Sequence, residues 1–218
     1  MSRDLNLPDS PATAAPSEDG RMFAPSAARN VLDIAALVAD FAPAAGQALE
    51  LASGTGEHIV IFAHRMPGLT WQPTDIDAAR RASVDAHAAV AGLGNLRPAL
   101  ALDVTERGWG QTNQGQDLIV LVNLLHLISV DEAKTVIAEA AQALAPGGVF
   151  IFYGPFLRDG KTTSEGDATF NASLIAQDPA IGYKDDWDVI EWVQANWLDL
   201  VLVVEMPANN MAFVTRRG

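Results

Sequence analysis

The chain has 218 residues, 49% of them apolar, and a formal net charge of −13. That length and apolar content fit one globular domain with a substantial core, while the acidic balance argues against a large electrostatic footprint on nucleic acid or an anionic membrane. Cysteine is absent, which removes disulfides, thiolate zinc sites and a cysteine nucleophile together.

No run approaches the roughly eighteen consecutive apolar residues of a membrane span, and residues 1–10 are too polar for a signal peptide. A cytoplasmic protein is expected, with a small-molecule substrate and no nucleic-acid or membrane partner. His58, His64, His87 and His126 show neither HExxH nor an i, i+4 pairing, so no metal is expected. Nothing in the sequence sets the oligomeric state.

Residues 2–20 are rich in Ser, Pro, Ala and Asp and have almost no large apolar side chain. A mobile tail is expected over 1–21, with 22–218 as a single domain. Over 27–41, Val31, Ile34, Leu37, Val38 and Phe41 stand at helical spacing. Arg29 and Asn30 begin that helix, either as a solvated end or as ligand contacts.

Residues 48–58, ALELASGTGEH, join a strand carrying Glu50 to a Ser53-Gly54-Thr55-Gly56 turn and a helix over 57–66. Gly54 and Gly56 permit positive φ and close approach of a ligand to the main chain, and the helix start offers N–H groups without intrahelical partners. Alone, such a turn reads as a packing feature or as a ligand loop. A strand over 69–74 then ends in Asp75-Ile76-Asp77, about twenty residues beyond the glycines, where nucleotide-binding folds set an acid against ribose hydroxyls. Either aspartate could instead cap the helix over 78–90.

A third strand over 96–102 closes in Asp103-Val104. The run 117–123, DLIVLVN, fits a parallel strand buried on both faces, and it delivers Asn123, then Leu124-Leu125-His126, to its carboxyl end. A helix over 130–144 stops at Ala145-Pro146-Gly147-Gly148. Strand five covers 149–153 and leads into Gly154-Pro155-Phe156. Residues 157–182 are irregular apart from an amphipathic segment over 168–177. A helix over 186–197 sets Trp187, Ile190, Val193 and Trp197 on a core stripe. Strands over 198–205 and 211–216, joined by the turn-rich 206–210, read as an antiparallel hairpin.

This alternation predicts an α/β fold, a Rossmann-like three-layer sandwich whose seven-stranded, mostly parallel sheet has an antiparallel last strand. Ligands of such sheets bind outside the carboxyl ends of the strands, where the glycine turn, Asp75, Asp103 and Asn123 are expected together. A dinucleotide fingerprint running from Gly54 would need Gly or Ala where Ile59 stands, and Glu57 would repel a pyrophosphate. No Gly-Lys-Ser/Thr follows the turn, and Ser53 is not in a Gly-x-Ser-x-Gly elbow.

Over 22–218 the chain resembles the class I S-adenosylmethionine-dependent methyltransferases. The matching residues are Glu50-Leu51-Ala52-Ser53-Gly54-Thr55-Gly56 for the first motif, Asp75 for the second, Asp103-Val104 for the third and Asn123 for the fourth. More narrowly, Ala24-Pro25-Ser26-Ala27-Ala28-Arg29-Asn30, Asn123-Leu124-Leu125-His126, Tyr153-Gly154-Pro155-Phe156 and Met206-Pro207-Ala208-Asn209-Asn210 resemble the methyltransferase-like twenty-six group, a domain of unknown function without an established methyl acceptor. The first motif departs in having Ala52-Ser53 where many members have a third glycine or a cysteine.

The resemblance implies S-adenosylmethionine as cofactor, with Gly54 and Gly56 under its methionyl part and Glu50 near its amino group. It sets Asp75 on the ribose hydroxyls, Asp103 on the adenine amino group and Val104 on the ring, with Arg29, Asn30, Ser53 and Ile76 completing the set. Asn123 lines the methyl-transfer end. His126 is the candidate base, because an imidazole with an ordinary pKa near 6.5 suits proton removal from oxygen or nitrogen; its alternative is to order the loop after strand four. Tyr153, Phe156 and Asn171 are candidate acceptor contacts, Asn171 as part of a lid. A methyltransferase for a small molecule is therefore expected, and the alternative is a non-catalytic cofactor-binding or protein-interaction module on the same scaffold.

Overall fold

A computed structural model describes residues 17–218 in two units, the first running to Asp103 and taking in Gln116–Val120, the second formed by Val104–Gly115 and Leu121–Gly218. Of the expected tail, residues 1–16 lie outside the described residues. At 17–21 the chain closes a turn, with the Ser17 N–H donating to the Arg21 carbonyl at 2.8 Å and Arg21 paired with Asp19 at 2.7 Å.

In the first unit, α1 (Pro25–Phe41) starts on a proline whose missing N–H costs a helix start nothing. It buries Ala27, Ile34, Ala35 and Val38. Strand β1 (Gly46–Leu51) leads through the glycine turn into α2 (Glu57–Arg65), which buries Ile59, Phe62 and Ala63. Strand β2 (Leu69–Asp75) runs parallel to β1 from Gly46↔Leu69 to Glu50↔Pro73. Asp77 caps α3 (Ala78–Ala91), its side chain accepting from the Ala79 and Arg80 N–H groups; this is the capping expected of one of the two aspartates.

The third strand is shorter than expected. Only β3 (Leu100–Ala101) pairs regularly with β2, and Leu96 adds an isolated bridge to Trp71. Pro98 stands between them and has no N–H to give a ladder. With β4 (Gln116–Val122), the strand order of this half is β3-β2-β1-β4. Its core holds Phe62 stacked on Trp71 at 5.5 Å, with Leu49, Leu51, Ile59, Leu118 and Ile119.

The second unit contains the short helix α4 (Trp109–Thr112), which had no sequence signal. After the last residues of β4 comes a 3-10 turn at Leu125–Leu127. Next is α5 (Val130–Ala143), started by a Ser129/Glu132 capping box. Strand β5 (Leu144–Leu157) begins where α5 ends, because Leu144 already has extended dihedrals; the expected stop at 145–148 is part of the strand. Helix α6 (Glu165–Gln177), β6 (Lys184–Asp185), α7 (Asp186–Ala195), β7 (Leu198–Glu205) and β8 (Asn210–Arg217) follow.

Strand order here is β5-β8-β7, with β6 beside β5. The last strand is antiparallel to both neighbours, as expected of a terminal hairpin inserted into the sheet. Two-residue β6, parallel to Phe156 and Leu157 of β5, raises the count among the described residues from the expected seven strands to eight. Phe152 and Phe213, directly paired across β5 and β8, stack at 4.9 Å and anchor the core.

The expected tryptophan stripe is corrected. Val189 and Val193 are the buried residues of α7, and they stand four apart on one face. Trp187, two residues from Val189, falls on the opposite face and is 63% exposed. Trp197 lies beyond the helix with φ of +58° and is 87% exposed. Among the described residues no helix is long and apolar enough to cross a membrane.

Candidate functional site

In the first unit the β1–α2 connection takes positive φ at Ala52 (+52°), Gly54 (+59°) and Gly56 (+97°). The two glycines differ in what surrounds them. A Cβ on Gly54 would meet nothing within 4 Å, whereas one on Gly56 would lie 2.8 Å from the Val84 Cα of α3. Gly56 therefore lets the turn pack on α3, and Gly54 leaves the main chain open. At Ala52 the left-handed alanine costs roughly 1–2 kcal/mol.

Two carboxylates stand at this turn. Glu50, on β1, is buried and its Oε2 has no partner. Burial pushes its carboxyl up to about 8, opposed by a hydrogen bond from Ser53 and reinforced by the charge of Asp75. Asp75, at the end of β2, accepts from the Gly54 N–H at 2.9 Å and from the Asp77 N–H at 2.9 Å. Burial raises its carboxyl as well, against those two bonds and the charge of Arg80. A carboxylate offers about four lone-pair sites, so Asp75 holds the turn and keeps acceptor capacity.

Ser53 is buried, and its hydroxyl accepts from the Thr74 N–H at 3.2 Å. Ile76 is 44% exposed beside Asp75. On α1, Asn30 Oδ1 meets His58 Nε2 at 2.9 Å; burial pushes that imidazole down to about 4. Arg29, the other α1 candidate, is exposed, and Asp103 is half-buried at the end of this unit's main segment.

In the second unit Val104 is buried, and its carbonyl accepts from Trp109 Nε1 at 3.0 Å. Asn123 follows β4 with φ of +56°, its N–H donating to the Tyr153 carbonyl at 2.8 Å. A Cβ on Gly154 would lie 3.7 Å from both Asn123 Oδ1 and His126 Nδ1. The two polar side chains thus converge over one glycine of β5.

His126 is buried, and its Nδ1 has no partner. Its ring lies 5.9 Å from Phe170 and 6.1 Å from Tyr183, both near edge-on. Its carbonyl accepts from the Gly182 N–H at 3.1 Å. Lys184, also buried, donates from Nζ to the Ile128 and Gly182 carbonyls at 2.7 Å each. Burial and the Lys184 charge push the imidazole from the ordinary 6.5 down to about 3. That environment favours the neutral ring.

The remaining candidates have structural surroundings. Tyr153 is buried, and Phe156 packs at 4.8 Å on Phe213 within the aromatic core. Asn171 accepts from the Tyr183 N–H at 2.8 Å, so α6 holds the segment that flanks His126. Lys184 carried no sequence signal, because its partners are backbone carbonyls, one of them, that of Ile128, 56 positions away.

A family model described as "Protein of unknown function (DUF938)" matches residues 21–217. Among solved structures, the fold is similar to an O-methyltransferase family protein from Burkholderia thailandensis, with a TM-score of 0.73 at 20% identity, covering 88% of this chain and 57% of that one. A putative O-methyltransferase from Nostoc punctiforme PCC 73102 gives 0.75 at 18% identity, with 88% and 56% covered. The S-adenosylmethionine-dependent methyltransferase SibL gives 0.72 at 19% identity, with 88% and 55% covered. The chain thus spans little more than half the length of these proteins, and what it shares with them is the class I methyltransferase fold.

Proposed function

The chain belongs to the DUF938 family of proteins of unknown function, and from that premise we propose that it is an S-adenosylmethionine-dependent methyltransferase acting on a small-molecule acceptor. The observation that carries this reading is Glu50. A buried carboxylate oxygen without a partner, at a glycine turn open at Gly54, suits a ligand ammonium, which would supply the missing hydrogen bond and keep the carboxylate ionised. An acidic wall favours a cationic ligand and disfavours a pyrophosphate. Solved structures of the same fold include methyltransferase forms holding S-adenosylhomocysteine.

In this reading Glu50 binds the amino group, the Gly54 backbone lies along the methionyl part and Asp75 takes ribose hydroxyls with its remaining lone pairs. Ser53, Ile76, Asp103, Val104, Arg29 and Asn30 complete the cofactor set. The cofactor supplies an electrophilic methyl group. Much of the acceleration then comes from orienting the acceptor, a task suited to Asn123 and His126, with Tyr153, Phe156 and Asn171 further out. Neutral His126 acts here as a hydrogen-bonding group.

Calorimetric titration of the purified protein with S-adenosylhomocysteine tests the reading. One saturable site is expected, and no binding at millimolar ligand would sink it. The low basicity of His126 is what favours the alternative of a non-catalytic module on this scaffold. Turnover of S-adenosylmethionine with metabolite extracts separates the two, since the module would bind the cofactor and release no S-adenosylhomocysteine.

A further inference from the structure

Residues 22–24, which precede α1, are tied to both sides of the glycine turn. The Met22 N–H donates to Ser83 Oγ at 2.7 Å, and that hydroxyl donates to the Thr55 carbonyl at 2.7 Å. His87 Nε2 meets the Met22 carbonyl at 2.9 Å. One residue pair on, Glu57 Oε2 accepts both the Ala24 N–H at 2.7 Å and the Thr55 hydroxyl at 2.9 Å. Phe23 closes the strap, its ring 5.1 Å from His87 at a steep angle and under the Arg21 guanidinium at 5.3 Å.

The strap acts on the part of the turn that has least freedom. Thr55 is buried and is held through its carbonyl and its hydroxyl by Ser83 and Glu57 respectively. Gly56, next to it, is pressed on Val84, one residue beyond Ser83. Gly54 has no such neighbour. Left to itself, a turn with three left-handed residues would sample other conformations, since glycine adds freedom and Ala52 adds strain. Buried bonds from a separate segment remove that choice.

We propose that Met22–Ala24 form a strap which fixes the cofactor turn, with Glu57 and Ser83 as its positioning residues. The inference rests on the proposed cofactor site. It gives Glu57 a role beyond discouraging phosphate, and it makes the segment ahead of α1 part of the binding machinery without touching the ligand. A fixed turn meets the ligand already ordered, so loss of the strap shows as loss of affinity.

Three full-length variants test this: Glu57→Ala, Glu57→Gln and Ser83→Ala. The amide oxygen of Gln accepts from the Ala24 N–H as the carboxylate does, whereas Ala removes the acceptor. Each variant is checked for folding by thermal melting, for the Met22 and Ala24 amides by hydrogen exchange, and for S-adenosylhomocysteine affinity by calorimetry.

Glu57→Ala and Ser83→Ala are expected to lose about tenfold in affinity, roughly 1.4 kcal/mol, with faster exchange at Ala24 and Met22 respectively. Glu57→Gln should stay within about threefold of the parent, a rescue that general destabilisation would not produce. Folded Glu57→Ala or Ser83→Ala protein with parental affinity overturns the strap. If Glu57→Ala does not fold, Ser83→Ala decides. Failure of the unmodified protein to bind strikes at the cofactor reading itself, and the exchange rates still report whether the strap holds the segment.

Discussion

At the scale of single residues the informative groups are two whose ionisation is set by burial. Glu50 has its folded carboxyl raised from 4.5 to about 8, so the folded state holds a proton that the unfolded chain gives up. Its contribution to stability is present below about 4.5 and is lost as pH rises through 8. Glu50→Gln removes the titration while preserving shape. The variant should gain stability relative to the parent between pH 6 and 9 in urea unfolding, and it should bind S-adenosylhomocysteine more weakly; an unchanged pH profile would mean that Glu50 is solvated. His126 moves the other way, from 6.5 down to about 3. Its contribution is present above about 6.5 and is lost as pH falls toward 3, because the unfolded imidazole takes up a proton that the folded one refuses. Its imidazole resonances are expected to stay flat from pH 8 to 5. Which of the acids and histidines would shift was not legible in the sequence, since a residue letter carries no burial. Asp77 is the contrast: its capping role was legible, because its partners are two and three residues away.

Elements show the same division between near and far partners. The helices around the turn, and both strands of the terminal hairpin, fall within a residue or two of where periodicity sets them. Strand β3 is shorter than its apolar run suggests because that run says nothing of Pro98's place in a ladder. The stripe on α7 differs from the expected one because residue type alone does not fix which face of a helix is buried, and the buried pair is Val189 and Val193. Two substitutions probe this scale. Gly56→Ala meets both a positive φ and the Val84 backbone and should destabilise by about 2–4 kcal/mol. Gly54→Ala meets only the positive φ and should cost about 1–2 kcal/mol. Equal losses in denaturant unfolding would erase the distinction between packing and open glycine. Trp197 occupies the left-handed position after α7, one that glycine fills without strain. Trp197→Gly should therefore raise stability by about 1 kcal/mol, and a loss would show that the exposed indole makes contacts worth more than its strain.

For the whole molecule, binding of the proposed cofactor and stability are one equilibrium. S-adenosylhomocysteine at a hundred times its Kd should stabilise the protein by about 2.7 kcal/mol, read as a rise of several degrees in Tm, and Glu50→Gln should show a smaller rise at the same concentration. Sequence alone determined the alternation of strands and helices, the glycine turn with Glu50 before it and Asp75 about twenty residues beyond, and the antiparallel end of the sheet; all of these follow from side-chain periodicity and local turn chemistry. Only the tertiary structure decided that Gly56 serves packing while Gly54 stays open, that Glu50 Oε2 lacks a partner, that burial and Lys184 keep His126 neutral, and that Glu57 and Ser83 hold a distant strap. Those outcomes depend on desolvation and on contacts between residues up to 65 positions apart, as for His87 and Met22, and neither quantity exists until the chain has folded.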